Sequence, residues 1–130
     1  MPEFIHVNSD DTFAKFNNIK KDKILFVKYY MNGCGHCIEL ESVWDKFEES
    51  VKLDKNSRNI VIVKMNASHL DTIGKTVIGY PTISVIKNNI KLDYDGPRTV
   101  DGIKQFYKMN TITSTSQSGG KSYKKKSYKN

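Results

Sequence analysis

The sequence predicts a three-layer α/β sandwich in which helices cover both faces of a central mixed β-sheet. Patterns typical of strands and helices follow one another in the order β-α-β-α-β-α-β-β-α along 130 residues. Two strand patterns, at residues 24–30 and 60–65, are almost continuously apolar, which is typical of strands covered on both faces. Helices connecting such strands cover the sheet, whereas a hairpin pattern at residues 82–94 adds antiparallel strands.

The first predicted elements are a short strand and a helix. Residues 4–7 form an apolar run that is typical of a strand. Ser9 or Asp10 caps the helix that follows, because such side chains accept hydrogen bonds from the free N–H groups at a helix start. A polar turn at residues 20–23 then leads into the buried strand at 24–30. The apolar residues of the helix recur on one face: Phe13, Phe16 and Ile19.

The second predicted helix follows the sequence NGCGHC, directly after the strand at residues 24–30. Apolar residues recur along it at alternating spacings of three and four, which places them on one buried face. They are Cys37, Leu40, Trp44, Phe47 and Val51. Both cysteines of the chain are therefore expected at the start of an amphipathic helix.

The remaining elements follow the strand at residues 60–65. Residues 68–78 have a weak helical pattern, which predicts a third helix. Asn88 and Asn89 separate the two strands of the hairpin, because asparagine tolerates the positive φ that such a turn needs. Thr99 is expected to cap the last helix, whose inward residues are Val100, Ile103 and Phe106.

The net charge of +7 is concentrated at the end of the chain. Residues 114–130 contain five lysines and no acidic residue, whereas residues 1–113 contain 16 basic and 14 acidic residues. The sequence therefore predicts one folded domain at 1–113 and a disordered, Ser/Gly/Lys-rich tail at 114–130. The tail is a candidate for binding nucleic acid or an anionic surface, and the alternative is a solubilising end.

Membrane and targeting patterns bear on where the chain is found. No apolar run approaches the roughly 20 residues that span a bilayer, so an integral membrane protein is not expected. The start lacks a basic region followed by an apolar stretch, which predicts a cytoplasmic location. The endoplasmic reticulum is the alternative if these residues belong to a longer chain. Lys, Asn and Ile make up 43 of 130 residues, which is typical of AT-rich genomes and leaves a virion component open.

The residues Cys34-Gly35-His36-Cys37, between a buried strand and a helix, predict a dithiol redox site. A spacing of three on the first helical turn brings the two sulfur atoms close enough to bond. Free N–H groups and the helix dipole favour a thiolate at Cys34, and a protonated His36 would add positive charge. Cys34 is thus the predicted nucleophile, and Cys37 resolves the mixed disulfide.

Other cysteine chemistries fit less well. A zinc site needs four ligands, and the chain offers two cysteines with scattered His6, His36 and His69. A purely structural disulfide between such close residues would remove little chain entropy. A cysteine hydrolase needs a triad that these residues do not assemble. No metal or organic cofactor is expected, because the dithiol itself carries the two electrons.

The chain contains three motifs in this order: FVKYYMNGCGHC, GYPTI at 79–83 and YDGPRTVDGI at 94–103. Together, and in this order, they resemble a catalytic domain of protein disulfide isomerase, in the thioredoxin superfamily. The resemblance covers about residues 4–110 and implies a thioredoxin fold. It also implies that Pro81 is a cis-proline facing the site and that the backbone of Tyr80 pairs with an extended substrate. Arg98 matches an arginine that swings toward the buried cysteine and lowers its pKa. Thioredoxins carry proline where this chain has His36.

Several positions depart from the pattern of that family. Lys28 stands where the family has a buried carboxylate that accepts the proton of the resolving thiol. We hypothesise that Lys28 takes this role, and the alternative is a side chain that extends to the edge of the core. Gly33 replaces an aromatic residue, Ser42 replaces a helix-kinking proline, and Ile38 replaces a common lysine. Gly33 and Ile38 are candidates for contacting unfolded clients, although Ile38 could simply pack.

The function that these residues predict is thiol-disulfide exchange of the protein disulfide isomerase type. Expected partners are proteins with thiols or disulfides, and a redox partner that resets the dithiol, either glutathione or a reductase or oxidase. Two alternatives stay open: a thioredoxin-like cytosolic reductase, and a catalytically weak adaptor or virion component. The first is distinguished by redox potential, and the second by inactivity in disulfide exchange.

Overall fold

The computed structural model describes residues 1–111 and contains a five-stranded sheet in the order β1-β3-β2-β4-β5. Strand β2 is parallel to β3 and antiparallel to β4, so the sheet is mixed as the sequence predicts. The elements are β1 Glu3–Val7, α1 Asp10–Ile19, β2 Ile24–Tyr30, α2 Gly35–Val51, β3 Ile60–Asn66, β4 Thr82–Lys87, β5 Ile90–Asp93 and α3 Val100–Thr111. The predicted thioredoxin fold is confirmed.

Helices cover both faces of the sheet. One hydrophobic cluster joins the sheet to α2 and α3, and its aromatic centre is Phe26, Trp44, Phe47 and Tyr107. The other cluster joins the opposite face to Phe16 of α1. The apolar stripe of α2 is buried as its spacing predicts, which fixes the rotation of the helix that carries both cysteines.

The local chemistry of the helix starts follows the sequence closely. Ser9 rather than Asp10 caps α1, because its hydroxyl accepts a hydrogen bond from the Thr12 N–H and the Thr12 hydroxyl accepts one in return from the Ser9 N–H. The Thr99 hydroxyl accepts a hydrogen bond from the Gly102 N–H at the start of α3. Asn88 and Asn89 both have positive φ at the hairpin turn, as expected.

The helix predicted for residues 68–78 is wrong. Only a single 3₁₀ turn, Gly74–Thr76, forms there. The Asp71 carboxylate accepts a hydrogen bond from the Gly74 N–H at 2.8 Å, and such a local bond competes with continued helix. A Cβ atom added to Gly74 would lie 3.0 Å from Cε1 of Tyr29, so the backbone of this segment runs close to the sheet.

Two expectations from the sequence concern the ends and the membrane. The domain boundary at residue 113 and the disordered tail at 114–130 lie outside the described residues. Within residues 1–111, none of the helices has the length and apolar character that crossing a bilayer requires.

Candidate active site

Cys34 lies in the short segment between the end of β2 and the start of α2. Gly33 has a φ of +76°, a left-handed conformation that glycine adopts without strain and that turns the chain into the helix. Cys34 is the N-cap residue of α2: its sulfur accepts a hydrogen bond from the Cys37 N–H at 3.2 Å. Gly35 is the first helical residue, and a Cβ atom added to it would meet no other atom within 4 Å, so the space beside it is open. The free N–H groups of the first turn favour a negative charge on Cys34.

The two cysteines form a disulfide, with their Cα atoms 5.1 Å apart. Cys34 is half-buried, whereas Cys37 is only 4% exposed because it belongs to the buried stripe of α2. The difference in exposure makes Cys34 the sulfur that a large partner can reach. It agrees with the predicted division between a nucleophilic and a resolving cysteine.

The loop before β4 lies against the disulfide. The Tyr80–Pro81 peptide bond is cis, and the carbonyl oxygen of Tyr80 lies 3.7 Å from the sulfur of Cys34. The hydroxyl of Thr82 donates a hydrogen bond to the Gly79 carbonyl at 2.7 Å and closes the loop. The motifs GCGHC and GYPTI, about 45 residues apart in the sequence, therefore meet at one place.

His36 points away from the core and pairs with a residue that sequence reasoning missed. Its side chain is 74% exposed, and its Nδ1 lies 3.2 Å from Oε1 of Glu39. Glu39 is in the first turn of α2, three residues after His36, and this spacing alone was a usable indication. A carboxylate therefore stands beside the imidazole that is expected to act on Cys34.

Lys28 is buried in the interface between β2 and α2, with only 4% of its surface exposed. Its Nζ lies 5.4 Å from the centre of the Tyr30 ring and 5.7 Å from that of Trp44. Burial lowers the pKa of Lys28 below its usual value, and the nearby Lys64 lowers it further. The α2 carboxylates at positions 41, 45 and 48 oppose this effect.

Lys28 belongs to a row of basic residues that crosses three strands. Lys28 is in register with Lys64 of β3, which is in register with His6 of β1. His6 forms a hydrogen bond with the Tyr30 hydroxyl, and burial followed by Lys64 and Lys28 lowers the pKa of its imidazole. This places His6 in a structural network and away from a catalytic role, as its position in a predicted strand favours.

Glu48 completes the charged cluster from the α2 side. Its carboxylate accepts a hydrogen bond from the Trp44 indole at 3.0 Å. Burial raises the pKa of Glu48, while Lys64 and the Trp44 hydrogen bond oppose that rise. Neither Lys64 nor Glu48 was among the predicted site residues. Lys64 interrupts the apolar strand at 60–65, and this was the feature of the sequence that could have indicated the charged cluster.

Two further candidate residues lie at the surface near the dithiol. Arg98 is exposed and lines a cleft of about 720 Å³ together with Pro81 and Glu39. Ile38 is 59% exposed, one residue after Cys37, so it does not pack into the core. Met31 and Ile78, which flank the two motifs in the sequence, are also exposed. Exposed apolar side chains thus stand close to the two motifs in the sequence, and a cleft with charged walls reaches Pro81.

Metal-ligand geometry is not found in the described part of the chain. No group of three or more His, Cys, Asp or Glu side chains within residues 1–111 is arranged to hold a metal ion. His69 instead pairs with Asp10 at 3.2 Å, at the surface.

Comparisons with known proteins agree with this geometry. The family model for thioredoxin matches residues 4–109. Protein disulfide-isomerase TMX3 of Mus musculus is 34% identical over 99 residues, which are 75% of this chain and 21% of that protein. Protein disulfide-isomerase of Oryctolagus cuniculus is 36% identical over 87 residues, 65% of this chain and 16% of that protein. The chain therefore spans about a fifth of the length of these relatives.

Solved structures share the fold. The solution structure of the first thioredoxin domain of mouse Protein disulfide-isomerase A4 superposes with a TM-score of 0.67 at 24% identity. The superposition covers 90% of this chain and 82% of that domain. Since the family model spans the sheet, the dithiol and the cis-proline loop alike, the chain belongs to the thioredoxin family.

Proposed function

We propose that this domain is a thiol-disulfide oxidoreductase of the protein disulfide isomerase type. The observation that carries the proposal is the Cys34–Cys37 disulfide at the start of α2, with the Tyr80 carbonyl 3.7 Å from the sulfur of Cys34. A half-buried sulfur that a partner can reach at a helix N-terminus, with a more deeply buried sulfur behind it, is the arrangement that disulfide exchange requires. The names of the relatives, which are disulfide isomerases, support the same reaction.

The proposed reaction is a pair of exchanges in which the number of disulfides is conserved. In reduction, the Cys34 thiolate attacks a substrate disulfide, forms a mixed disulfide and releases one substrate thiolate. The Cys37 thiolate then attacks the Cys34 sulfur, which forms the Cys34–Cys37 disulfide and releases the second substrate thiolate. In oxidation both steps run backwards, and the substrate gains the disulfide. In isomerisation Cys34 is released when a different substrate thiolate attacks the mixed disulfide.

Substrates are proposed to be extended or unfolded protein segments with thiols or disulfides. The Tyr80 backbone beside Cys34 offers a carbonyl acceptor to such a segment, and Pro81 orients it. Ile38 and Met31 offer apolar surface, and Gly33 keeps the approach to the sulfur unobstructed. Exposed apolar side chains that neighbour a reactive residue in the sequence favour recognition of unfolded chains.

Charged residues are proposed to set the direction and speed of exchange. A protonated His36 stabilises the Cys34 thiolate, which is part of the reduced form, and so favours oxidising or shuffling over reducing. Arg98, on the wall of the cleft that contains Pro81, is proposed to lower the pKa of Cys37 when it moves toward that thiol. Each effect stabilises an anion by a nearby cation.

Lys28 is proposed to handle the proton of Cys37. The ammonium group lies under α2 between Tyr30 and Trp44, and the burial that lowers its pKa makes proton release less costly. A neutral Lys28 would accept the Cys37 proton, and the resulting cation would stabilise the thiolate. The charge that Glu41, Asp45 and Glu48 contribute keeps such a cation tolerable.

The redox partner and the compartment follow from the direction of exchange. An oxidising or shuffling enzyme needs a compartment such as the endoplasmic reticulum lumen, whereas the cytosolic glutathione pool keeps such a dithiol reduced. The cytoplasmic location expected from the sequence would instead favour a reductase that a reducing partner resets. Contact of the basic tail with nucleic acid or an anionic surface stays a prediction from the sequence.

Two single variants test the proposed reaction. Cys34→Ser should lose insulin reduction and refolding of a scrambled disulfide substrate, because the nucleophile is gone. Cys37→Ser should accumulate a mixed disulfide with the substrate that a non-reducing gel detects, because nothing resolves it. If the wild type is inactive in both assays, the proposal is contradicted and an adaptor is favoured. Equilibration with glutathione then measures the reduction potential, which should be about −180 mV for an isomerase and about −270 mV for a reductase.

A further inference from the structure

A basic groove lies at the end of α2 that is remote from the dithiol. The C-terminal turn of α2, the connection at residues 52–59 and the last turns of α3 enclose a cavity of about 970 Å³. Since α2 has 17 residues, roughly 25 Å separate this groove from Cys34. The charged residues that line it are Asp54, Lys55, Arg58, Lys104 and Lys108.

The four cations of the groove have no acidic partner in the part of the chain that the structure describes. None of them is within 4 Å of a carboxylate oxygen of residues 1–111, whereas four other lysines form ion pairs there. The sequence after residue 111 contains no Asp or Glu. Lys104 and Lys108 are four residues apart on one helix face, where like charges repel each other. A bound anion would relieve that repulsion.

The single carboxylate of the groove is already engaged. Asp54 accepts a hydrogen bond from the Tyr107 hydroxyl at 3.4 Å and another from the Asn56 N–H at 3.2 Å. Four cations and this one carboxylate give the lining a formal charge of +3. Asp54 therefore holds the two walls of the groove together without neutralising it.

Hydrogen bonds order the connection at residues 52–59, which carries Lys55 and Arg58. Ser57 between them is completely buried, and its hydroxyl donates a hydrogen bond to the Asp54 carbonyl at 2.6 Å. The Asp54 N–H donates to the Val51 carbonyl at 3.0 Å. Both cationic side chains thus project from a backbone that is already ordered, which lowers the entropy lost on binding.

We infer that this groove binds a run of phosphate groups, as found in inorganic polyphosphate or in the backbone of single-stranded nucleic acid. Lysine and arginine are the usual phosphate-binding side chains, and a charge of +3 in one concavity suits several adjacent phosphates. The volume lies within the range of about 300–1,000 Å³ that is usual for small-ligand sites. Tyr107, the aromatic residue of the lining, is buried, so the groove offers phosphate contacts and no stacking surface for bases.

Matched charge variants of the full chain test this inference. Lys104→Gln/Lys108→Gln removes two charges from the groove, and Lys46→Gln/Lys75→Gln removes two exposed charges elsewhere. The probes are inorganic tripolyphosphate and a short labelled oligothymidylate, measured by titration at several salt concentrations. The groove variant should bind about tenfold or more weakly with a shallower salt dependence, whereas the control should change by about twofold or less.

A third variant should change affinity in the opposite direction. Asp54→Asn keeps one oxygen acceptor, for Tyr107 or for Asn56, and removes the negative charge, so it should bind the probes more tightly, which a folding defect would not produce. Binding of tripolyphosphate alone would assign the site to inorganic polyphosphate, and binding of both probes would include nucleic acid. Equal weakening by the two double variants, or tighter binding of poly-glutamate than of either probe, would overturn the inference. Insulin reduction should be unchanged in both double variants.

Discussion

The imidazole of His36 and the carboxylate of Glu39 face each other at 3.2 Å on the first turn of α2, both largely exposed. His36 is two residues after the half-buried Cys34, whose thiolate a positive charge stabilises. Glu39 therefore offsets the electrostatic effect of His36 at the place where the redox potential is set. Because both side chains are in contact with solvent, the pair itself contributes little to stability.

The His36–Glu39 pair predicts opposite shifts of the redox potential. His36→Ala should lower the potential by on the order of 30 mV at pH 6, because the reduced form loses a stabilising cation. Glu39→Gln should raise it by a smaller amount, because the imidazolium then acts on Cys34 without an opposing charge. Glutathione equilibration of both variants beside the wild type at pH 6 checks these two shifts. Shifts of the same sign in the two variants would contradict the electrostatic account.

Lys28 predicts a pH-dependent change in stability. Lys28→Met should raise the free energy of unfolding at pH 7 by about 1–3 kcal/mol, because it removes a buried charge. The pKa of Lys28 is lowered in the folded protein, so between that value and its usual value near 10.5 the unfolded chain binds more protons. Wild-type stability therefore rises with pH in this window, and the advantage of the variant should narrow. Urea unfolding of both proteins from pH 7 to pH 10 measures this difference in the free energy of unfolding.

The catalytic part of the Lys28 proposal has its own readout. Lys28→Met should slow resolution of the mixed disulfide by Cys37 and change the pH profile of that step, because the proton acceptor is gone. Lys46→Met, at an exposed position of α2, is the matched control. If rates and pH profiles of Lys28→Met equal those of the control, the proton-transfer role is wrong and Lys28 is structural.

Tyr29 predicts a stabilising substitution. Its hydroxyl is buried and has no hydrogen-bond partner among residues 1–111. Tyr29→Phe should raise the free energy of unfolding by about 1 kcal/mol, because an unsatisfied polar group leaves the core. Tyr30→Phe, which loses the hydrogen bond to His6, should be destabilising in the same urea experiment.

The Tyr29 effect should also grow at alkaline pH. Burial, followed by the charge of Asp71, raises the pKa of Tyr29 above its usual value near 10. Above pH 10 the unfolded chain releases this proton while the folded chain retains it, so wild-type stability falls as pH rises. A constant difference between wild type and Tyr29→Phe up to pH 11 would count against this assignment.

Gly102 predicts a steric effect on the loop that carries Arg98. A Cβ atom at Gly102 would lie against the Tyr94 hydroxyl and 2.9 Å from the Pro97 carbonyl oxygen, which belongs to the backbone. Gly102→Ala should therefore lower the free energy of unfolding by about 1–3 kcal/mol, although alanine ordinarily favours a helix. Gly35→Ala, where no atom lies within 4 Å, is the control and should be neutral or stabilising. Equal thermal stability of the two variants would refute the clash.

The sequence was sufficient for the parts of the site that depend on local patterns. The alternating stripe from Cys37 to Val51 determined which face of α2 is buried, and the NGCGHC turn located the dithiol. Pairings across the sheet were not accessible, because nothing in the sequence states that β3 lies between β1 and β2. The neighbours of Lys28, above all Lys64 and Glu48, therefore appeared only in the structure.

Distance along the chain explains the other omissions. The basic groove joins residues near 55 to residues near 105, and each group alone resembles an ordinary solvated surface. The helix predicted at 68–78 failed for a local reason, since the Asp71 carboxylate accepts the Gly74 N–H that a continuous helix would direct to a backbone carbonyl, and only the 3₁₀ turn Gly74–Thr76 forms. Spacing along the sequence does not reveal such competition between a side chain and the backbone.

The central position of β2 affects how the dithiol responds to local opening. Neighbouring strands hydrogen-bond β2 along both of its sides, whereas β1 and β5 each have one neighbour. Fraying begins at the edges of a sheet and in segments with few contacts. The strand that ends beside Cys34 is thus among the last to exchange its amide protons with solvent. A client that pulls on the mixed disulfide therefore acts on one of the three strands that are paired along both sides and open most slowly.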